Sequence, residues 1–323
     1  MTRSATLTAL GGITPRPRGG LTTGAEYDLG PLGGAGPDWV RSHGPQLRAR
    51  LAADGLILLH GLSAEGDGID GFHDVVEVVG GELLRYTERS TPRSAVKGNI
   101  YTSTEYPADQ FIPMHNESSY AASWPSMVSF YCHTAPGTGG ATPIADSAAV
   151  LDLIPAEVRE RFAKGVVYTR TFRAEMGLSW QEAFQTEDRS DVEQHCRARG
   201  QEFHWDGDVL HTRYHRPATA VDPGTGAEVW FNQAHLFHLS SLEPELRDVL
   251  LETYGEDGLP RNALLGDGSP IPDADLAAVR AAYDRASLAL PWRQGDITLV
   301  GNMRMAHGRE PFTGERRILV AMT

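Results

Sequence analysis

Cysteine is nearly absent from this 323-residue chain: Cys132 and Cys196 are its only two, and they form no Cys-x-x-Cys pair. That excludes a disulfide-stapled scaffold and a cysteine-built zinc site, and leaves two free thiols suited to a reducing setting. No apolar run approaches the ~20 residues needed to cross a bilayer. The opening residues Met1-Thr2-Arg3-Ser4-Ala5-Thr6-Leu7 also lack the apolar stretch of a secretory signal. A cytoplasmic location is therefore expected. Positive charge is scarce: 29 Lys plus Arg stand against 42 Asp plus Glu, a net charge of −13, with no Lys/Arg-rich run. Nucleic acid and anionic membrane both reward a basic patch, so neither is expected as a partner.

What the chain does have is 41% hydrophobic residues, enough for a substantial core in one domain. Residues 1–37, dense in Gly, Pro and Thr, read as a flexible N-terminal arm, and 38–323 as a single catalytic domain. Trp39, His43, Leu47 and Leu51 recur every four residues and predict a helix ended by Asp54-Gly55. Leu56-Ile57-Leu58-Leu59 reads as a buried strand, and a second helix is expected around Ile69 to Val79. The run Met127 to Cys132 has strand composition, and Ala148 to Lys164 reads as one helix with a stripe of Val150, Leu151, Ile154, Val158 and Phe162. Short strand signals follow at 165–170, 228–232, 297–300 and 317–322, with helical insertions at about 181–200 and 272–286. The pattern predicts a mainly β fold with helical decoration (α+β), a β-barrel or jelly roll.

His115-Asn116-Glu117 and the distant His307 carry the chemistry. Two imidazoles and one carboxylate are the set that holds a non-haem Fe(II) on one face and leaves the opposite positions open. In a strand, residues i and i+2 share a face, so His115 and Glu117 can reach one metal if Asn116 turns away. His307 follows the apolar strand that begins at Gly295-Asp296 and precedes the turn-rich Gly308-Arg309-Glu310-Pro311-Phe312, which predicts a position near a rim. The other reading of each is structural: a rim histidine, a solvated carboxylate and a hydrogen-bonded core imidazole. His133, His204, His211, His215, His235 and His238 receive no role.

Five blocks occur in order: Tyr101-Thr102-Ser103-Thr104-Glu105-Tyr106-Pro107-Ala108-Asp109, Met114-His115-Asn116-Glu117-Ser118-Ser119-Tyr120, Gly139-Gly140-Ala141-Thr142-Pro143-Ile144-Ala145-Asp146, Val229-Trp230-Phe231-Asn232-Gln233, and Asn302 to Phe312. Together they resemble the taurine dioxygenase/clavaminate synthase-like superfamily of Fe(II)- and 2-oxoglutarate-dependent oxygenases, and most of all its syringomycin-type amino-acid β-hydroxylases. The likeness covers about residues 56–323. It implies a double-stranded β-helix (jelly roll), the catalytic and metal ligands His115, Glu117 and His307, and the cosubstrates 2-oxoglutarate and O2. Glu117 resembles the clavaminate synthase branch, and related halogenases carry a small residue there, so halogenation is not expected.

A dicarboxylate needs a planar cationic anchor for its far carboxylate, which an arginine supplies. The resemblance places that anchor at Arg316, with Arg317 the fallback, and gives Thr142 as a hydroxyl on the same carboxylate. It further implies hydroxylation of an unactivated C–H bond of an amino acid in specialised-metabolite (antibiotic) biosynthesis. The substrate would be free or presented on a peptidyl carrier protein. Substrate contacts are expected from Arg89, Arg93, Asn116, Ser118 and Asn232. The same cofactor chemistry giving desaturation or cyclisation is the alternative outcome. A redox-inactive metal hydrolase or a binding module on the same roll is the alternative class, and the arginine anchor discriminates against both.

Overall fold

The computed structural model describes residues 9–14, 16–17, 24–62, 68–85, 94–103 and 106–323. Two sheets carry the site. The larger has eight strands in the order Arg16–Pro17, Ala25–Asp28, Leu56–His60, Ile297–Gly301, Met127–Thr134, Arg317–Met322, Ile100–Thr102 and Ala95–Lys97. The smaller has four, in the order Ser287–Leu290, Thr142–Asp146, Met305–Arg309 and Ile112–His115. All pairings are antiparallel except that of Ala25–Asp28 with Leu56–His60, which is parallel. The two sheets pack face to face through Leu58, Val128, Phe130, Ile318 and Val320 on one side and Ile144, Leu290 and Met305 on the other. A mixed helix-and-sheet architecture with this sandwich at its centre agrees with the expected α+β composition, although helix and strand contribute about equally, so the fold is not mainly β.

The helix Gly36–Asp54 forms where the four-residue apolar repeat predicts it, burying Trp39, Leu47 and Leu51, and Gly55 ends it with φ of 76°. It packs with Ile69–Gly80, and both cover the outer face of the large sheet. The expected single helix over 148–164 is instead three pieces, Ser147–Leu153, Ala156–Arg161 and a 3-10 turn at Phe162–Lys164. Pro155 breaks it, because proline carries no N–H for the helical ladder. The stripe Val150, Leu151, Ile154, Val158 and Phe162 is nonetheless buried. A four-stranded sheet, Glu202–Asp206, Val209–Arg216, Val166–Phe172 and Arg261–Leu265, stands beside the sandwich. Helices Trp180–Phe184, Arg189–Arg199 and Asp273–Ala286 fill the two expected insertions.

The N-terminal arm is shorter than the composition suggests. Ala25, Tyr27 and Leu29 are fully buried, and Ala25–Asp28 is a strand of the large sheet, so residues 24–37 belong to the domain. Tyr27 and Leu29 bury enough apolar surface to repay their ordering, roughly 1.5–3 kcal/mol for a large side chain. His60 ties this strand down. Its Nδ1 lies 2.6 Å from Asp296 and its Nε2 lies 3.2 Å from Glu26. Chiefly through the Asp296 hydrogen bond, the His60 pKa is raised above the ordinary imidazole value.

Candidate active site

His115 and His307 are register partners on adjacent strands, with ring centroids 4.6 Å apart. His307 therefore stands inside its own strand, Met305–Arg309, rather than at the rim after the preceding one. Gly301-Asn302-Met303-Arg304 turns the chain between the two strands, with the Arg304 N–H donating to Gly301 O at 3.0 Å. Glu117 also departs from expectation, since the strand ends at His115 and Glu117 opens the following turn. What positions it is Asn302, which is fully buried. Asn302 accepts the Glu117 backbone N–H at 2.7 Å and donates to the Glu117 and Pro125 carbonyls at 2.9 Å each. Ser118, next in the turn, takes a left-handed φ of 55°, and such local strain persists only where surrounding contacts impose it.

Each of His115, Glu117 and His307 offers a ligand atom within 4.8 Å of the other two. One ion with bonds of ~2.1 Å draws such a set together by small side-chain rotations. Glu117 and His307 are each about 5% exposed, so the acidic and imidazole donors sit where a cation is poorly screened. The Nδ1 of His115 lies 2.9 Å from the Pro113 carbonyl, which fixes the tautomer with its lone pair on Nε2. Behind it, His235 donates from Nε2 to Met114 O at 2.8 Å, and burial pushes the His235 pKa down to about 3, so this histidine is neutral. Sequence reasoning gave His235 and Asn302 no part in the site. Asn302 opens the block that ends at Phe312, but nothing in that block signals a contact with Glu117.

A pocket runs from the two histidines between the sheets, lined by Phe130, Ile112, Ile318 and Val320 and closed by Thr142, Arg309 and Arg316. Its empty space is about 430 Å³, including the open mouth. Arg316 donates from Nε to Gly140 O at 3.1 Å and lies over the Phe312 ring, 5.5 Å from its centroid. No described carboxylate pairs with it. Burial, then the neighbouring Arg309 charge, pushes the Arg316 pKa down to about 10, the mark of a guanidinium in want of an anion. Arg309 is committed elsewhere, donating to the carbonyls of Tyr106, Pro107 and Gln110. Arg317 begins the last strand and lies off the pocket. Thr142 Oγ1 accepts from Trp292 Nε1 at 3.0 Å, which orients its hydroxyl.

Three of the expected substrate contacts bond the protein's own groups and do not line the pocket. Asn116 is fully buried, donates to Ser147 Oγ and Asn302 O, and accepts from Gln233 on its carbonyl. Asn232 donates to Ala218 O and caps the turn at Ala234. Ser118 serves the turn geometry, its carbonyl accepting from Ala121, and does not line the pocket. A short polar side chain following a metal ligand satisfies backbone groups as readily as it meets a substrate, and sequence alone does not separate the two. Arg89 and Arg93 lie outside the described residues.

Two imidazoles and a carboxylate converging on a pocket between two sheets define a mononuclear non-haem metal enzyme. The chain belongs to the taurine catabolism dioxygenase TauD, TfdA family, whose model matches residues 13–323. It is 42% identical over 274 residues to the dapdiamide synthesis protein DdaC of Enterobacter agglomerans, covering 84% of this chain and 83% of that one. It is 30% identical over 298 residues to a clavaminate synthase-like protein of Arabidopsis thaliana, covering 88% and 86%. Its fold is similar to that of PvcB from Pseudomonas aeruginosa, with a TM-score of 0.55 at 18% identity over 96% of this chain and 90% of that one. It is also similar to that of an asparagine oxygenase, with a TM-score of 0.54 at 13% identity over 90% and 82%.

Proposed function

We propose that this protein is an Fe(II)- and 2-oxoglutarate-dependent dioxygenase that hydroxylates an unactivated C–H bond of an amino acid in the biosynthesis of a specialised metabolite. One observation carries the reading: the His115–Glu117–His307 cluster opens into a pocket that ends at an arginine with no acidic partner among the described residues. A metal hydrolase or a binding module has no use for that arginine. Support for the substrate class comes from the likeness to a dapdiamide synthesis protein and to the fold of an asparagine oxygenase solved with Fe(II), hydroxyasparagine and succinate. The face-to-face sheets support a double-stranded β-helix, and a chain with only two cysteines, both buried, suits the reducing cytoplasm.

Iron, when bound with 2-oxoglutarate and O2, supplies the oxidising power, and succinate and CO2 are the coproducts. The rest is the work of side chains. His115, Glu117 and His307 hold the metal. Arg316 pairs with the far carboxylate of the cosubstrate, and Thr142, whose oxygen already accepts from Trp292, turns its proton toward the same group. Phe130, Ile112, Ile318 and Val320 exclude water between the two ends, which strengthens both electrostatic contacts. The test is direct. Protein given Fe(II), ascorbate and 2-oxoglutarate is expected to consume O2 and form succinate, and His115→Ala and His307→Ala to abolish both. Wild-type protein that forms no anaerobic iron–2-oxoglutarate charge-transfer band would refute it.

A further inference from the structure

Strand alternation puts Val166, Tyr168 and Arg170 on one face of Val166–Phe172, and the antiparallel register sets Arg170 directly opposite Arg261. This is the inner face: Val166 and Tyr168 belong to the core, together with Ala263 and Leu265, the same-face neighbours of Arg261. Tyr168 meets Tyr120 at 6.4 Å and Phe237 at 5.0 Å between ring centroids, and Tyr120 is three residues beyond Glu117 in the metal-ligand turn. The Arg261 guanidinium lies over Phe237 at 5.6 Å from its centroid. Tyr106 and Tyr120 are both near enough to it to interact electrostatically, and Tyr106 is the residue whose carbonyl holds Arg309 of the pocket. The arginine pair therefore stands on the same side as the metal turn, one strand step beyond Tyr168.

Two features mark the spot as an anion seat. Like charges directly opposite across a sheet repel, and this pair needs a reason to exist. Arg261 is solvent-exposed, makes no ion pair with any described carboxylate, and has its pKa lowered by desolvation and then by the facing Arg170 charge. The geometry points to Arg261, with Arg170 beside it, as the positioning residues that receive the carboxylate of a free amino-acid substrate at the mouth of the metal site. This deepens the oxygenase reading and rests on it. It also makes a choice, because an amino acid tethered to a carrier through a thioester has no carboxylate to offer.

The experiment is calorimetric binding to full-length protein loaded with Mn(II) and 2-oxoglutarate. The probes are a panel of free L-amino acids and their carboxamides, titrated into wild type, Arg261→Gln and Arg261→Lys. The best free acid is expected to lose about 10- to 100-fold in affinity as its carboxamide, as for the loss of one charged hydrogen bond. Arg261→Gln should impose a similar loss on the acid and little on the amide, so that the two changes are non-additive. Arg261→Lys should recover part of it. Equal binding of acid and amide, an equal effect of Arg261→Gln on both, or no free acid that binds at all would overturn the assignment. Failure of the oxygenase reading looks different: wild-type protein would then lack the anaerobic charge-transfer band with Fe(II) and 2-oxoglutarate.

Discussion

Asn302 grips Glu117 by both sides of its peptide unit, accepting the N–H at 2.7 Å and donating to the carbonyl at 2.9 Å. The carboxylate ligand stands in a turn, beyond the end of its strand, and this side chain holds its backbone in place. Asn302→Ala is expected to weaken metal binding by about 10- to 100-fold, the usual effect of losing an outer partner of a ligand. It should also cost about 1–3 kcal/mol of stability through unsatisfied buried groups. Mn(II) titration and thermal melting measure the two effects. Unchanged metal affinity would show that Glu117 is held by other means.

The two adjacent arginines give a paired test. Arg316→Ala is expected to raise the 2-oxoglutarate requirement by roughly tenfold or more, because a charged bidentate contact is lost. Arg317→Ala, off the pocket, should leave it within about twofold, as surface substitutions do. Steady-state succinate formation against 2-oxoglutarate concentration reads both, and reversed effects would transfer the role to Arg317.

Gly140 presents its carbonyl to Arg316 and has φ of 67°. A Cβ there would meet Phe312 Cβ and Pro136 Cγ at 2.9 Å and Arg316 Cδ at 3.1 Å. Gly140→Ala is expected to cost roughly 1–2 kcal/mol for the backbone alone and to displace the arginine, weakening 2-oxoglutarate binding. A lowered melting temperature with unaltered cosubstrate affinity would separate the two effects and refute the second.

His60 predicts a pH signature. Its pKa is raised in the folded protein, so the stability it contributes is fully present below the unfolded value of about 6.5 and is lost as pH rises through the folded value. Melting of wild type and His60→Gln should therefore differ most near pH 6 and converge toward pH 9. A gap that widens with rising pH would contradict the sign.

The ligands, the pocket arginine and the ladder of strands were legible because each depends on residue type in sequence order. Arg316 was reached through the family resemblance, and it does line the pocket, while the strand at 317–322 was readable from its composition. The rest depends on contacts between distant segments. Nothing local marks Asn302 as the clamp on Glu117, a residue 185 positions away. The Gly/Pro density of residues 1–37 hid the strand Ala25–Asp28, whose burial is supplied by Leu56–His60 rather than by its own pattern. Arg261 was invisible because its strand lies on an insertion whose partner is set by register alone.

That parallel strand has a bearing on handling the protein. Ala25–Asp28 lies along Leu56–His60, four fully apolar residues followed by a histidine. A chain trimmed at residue 37 would leave this row of unsatisfied amides facing outward beside a greasy surface, an invitation to sideways recruitment of other molecules. Shortened forms should therefore keep Ala25–Asp28, together with Arg16–Pro17, the short strand paired on its outer edge.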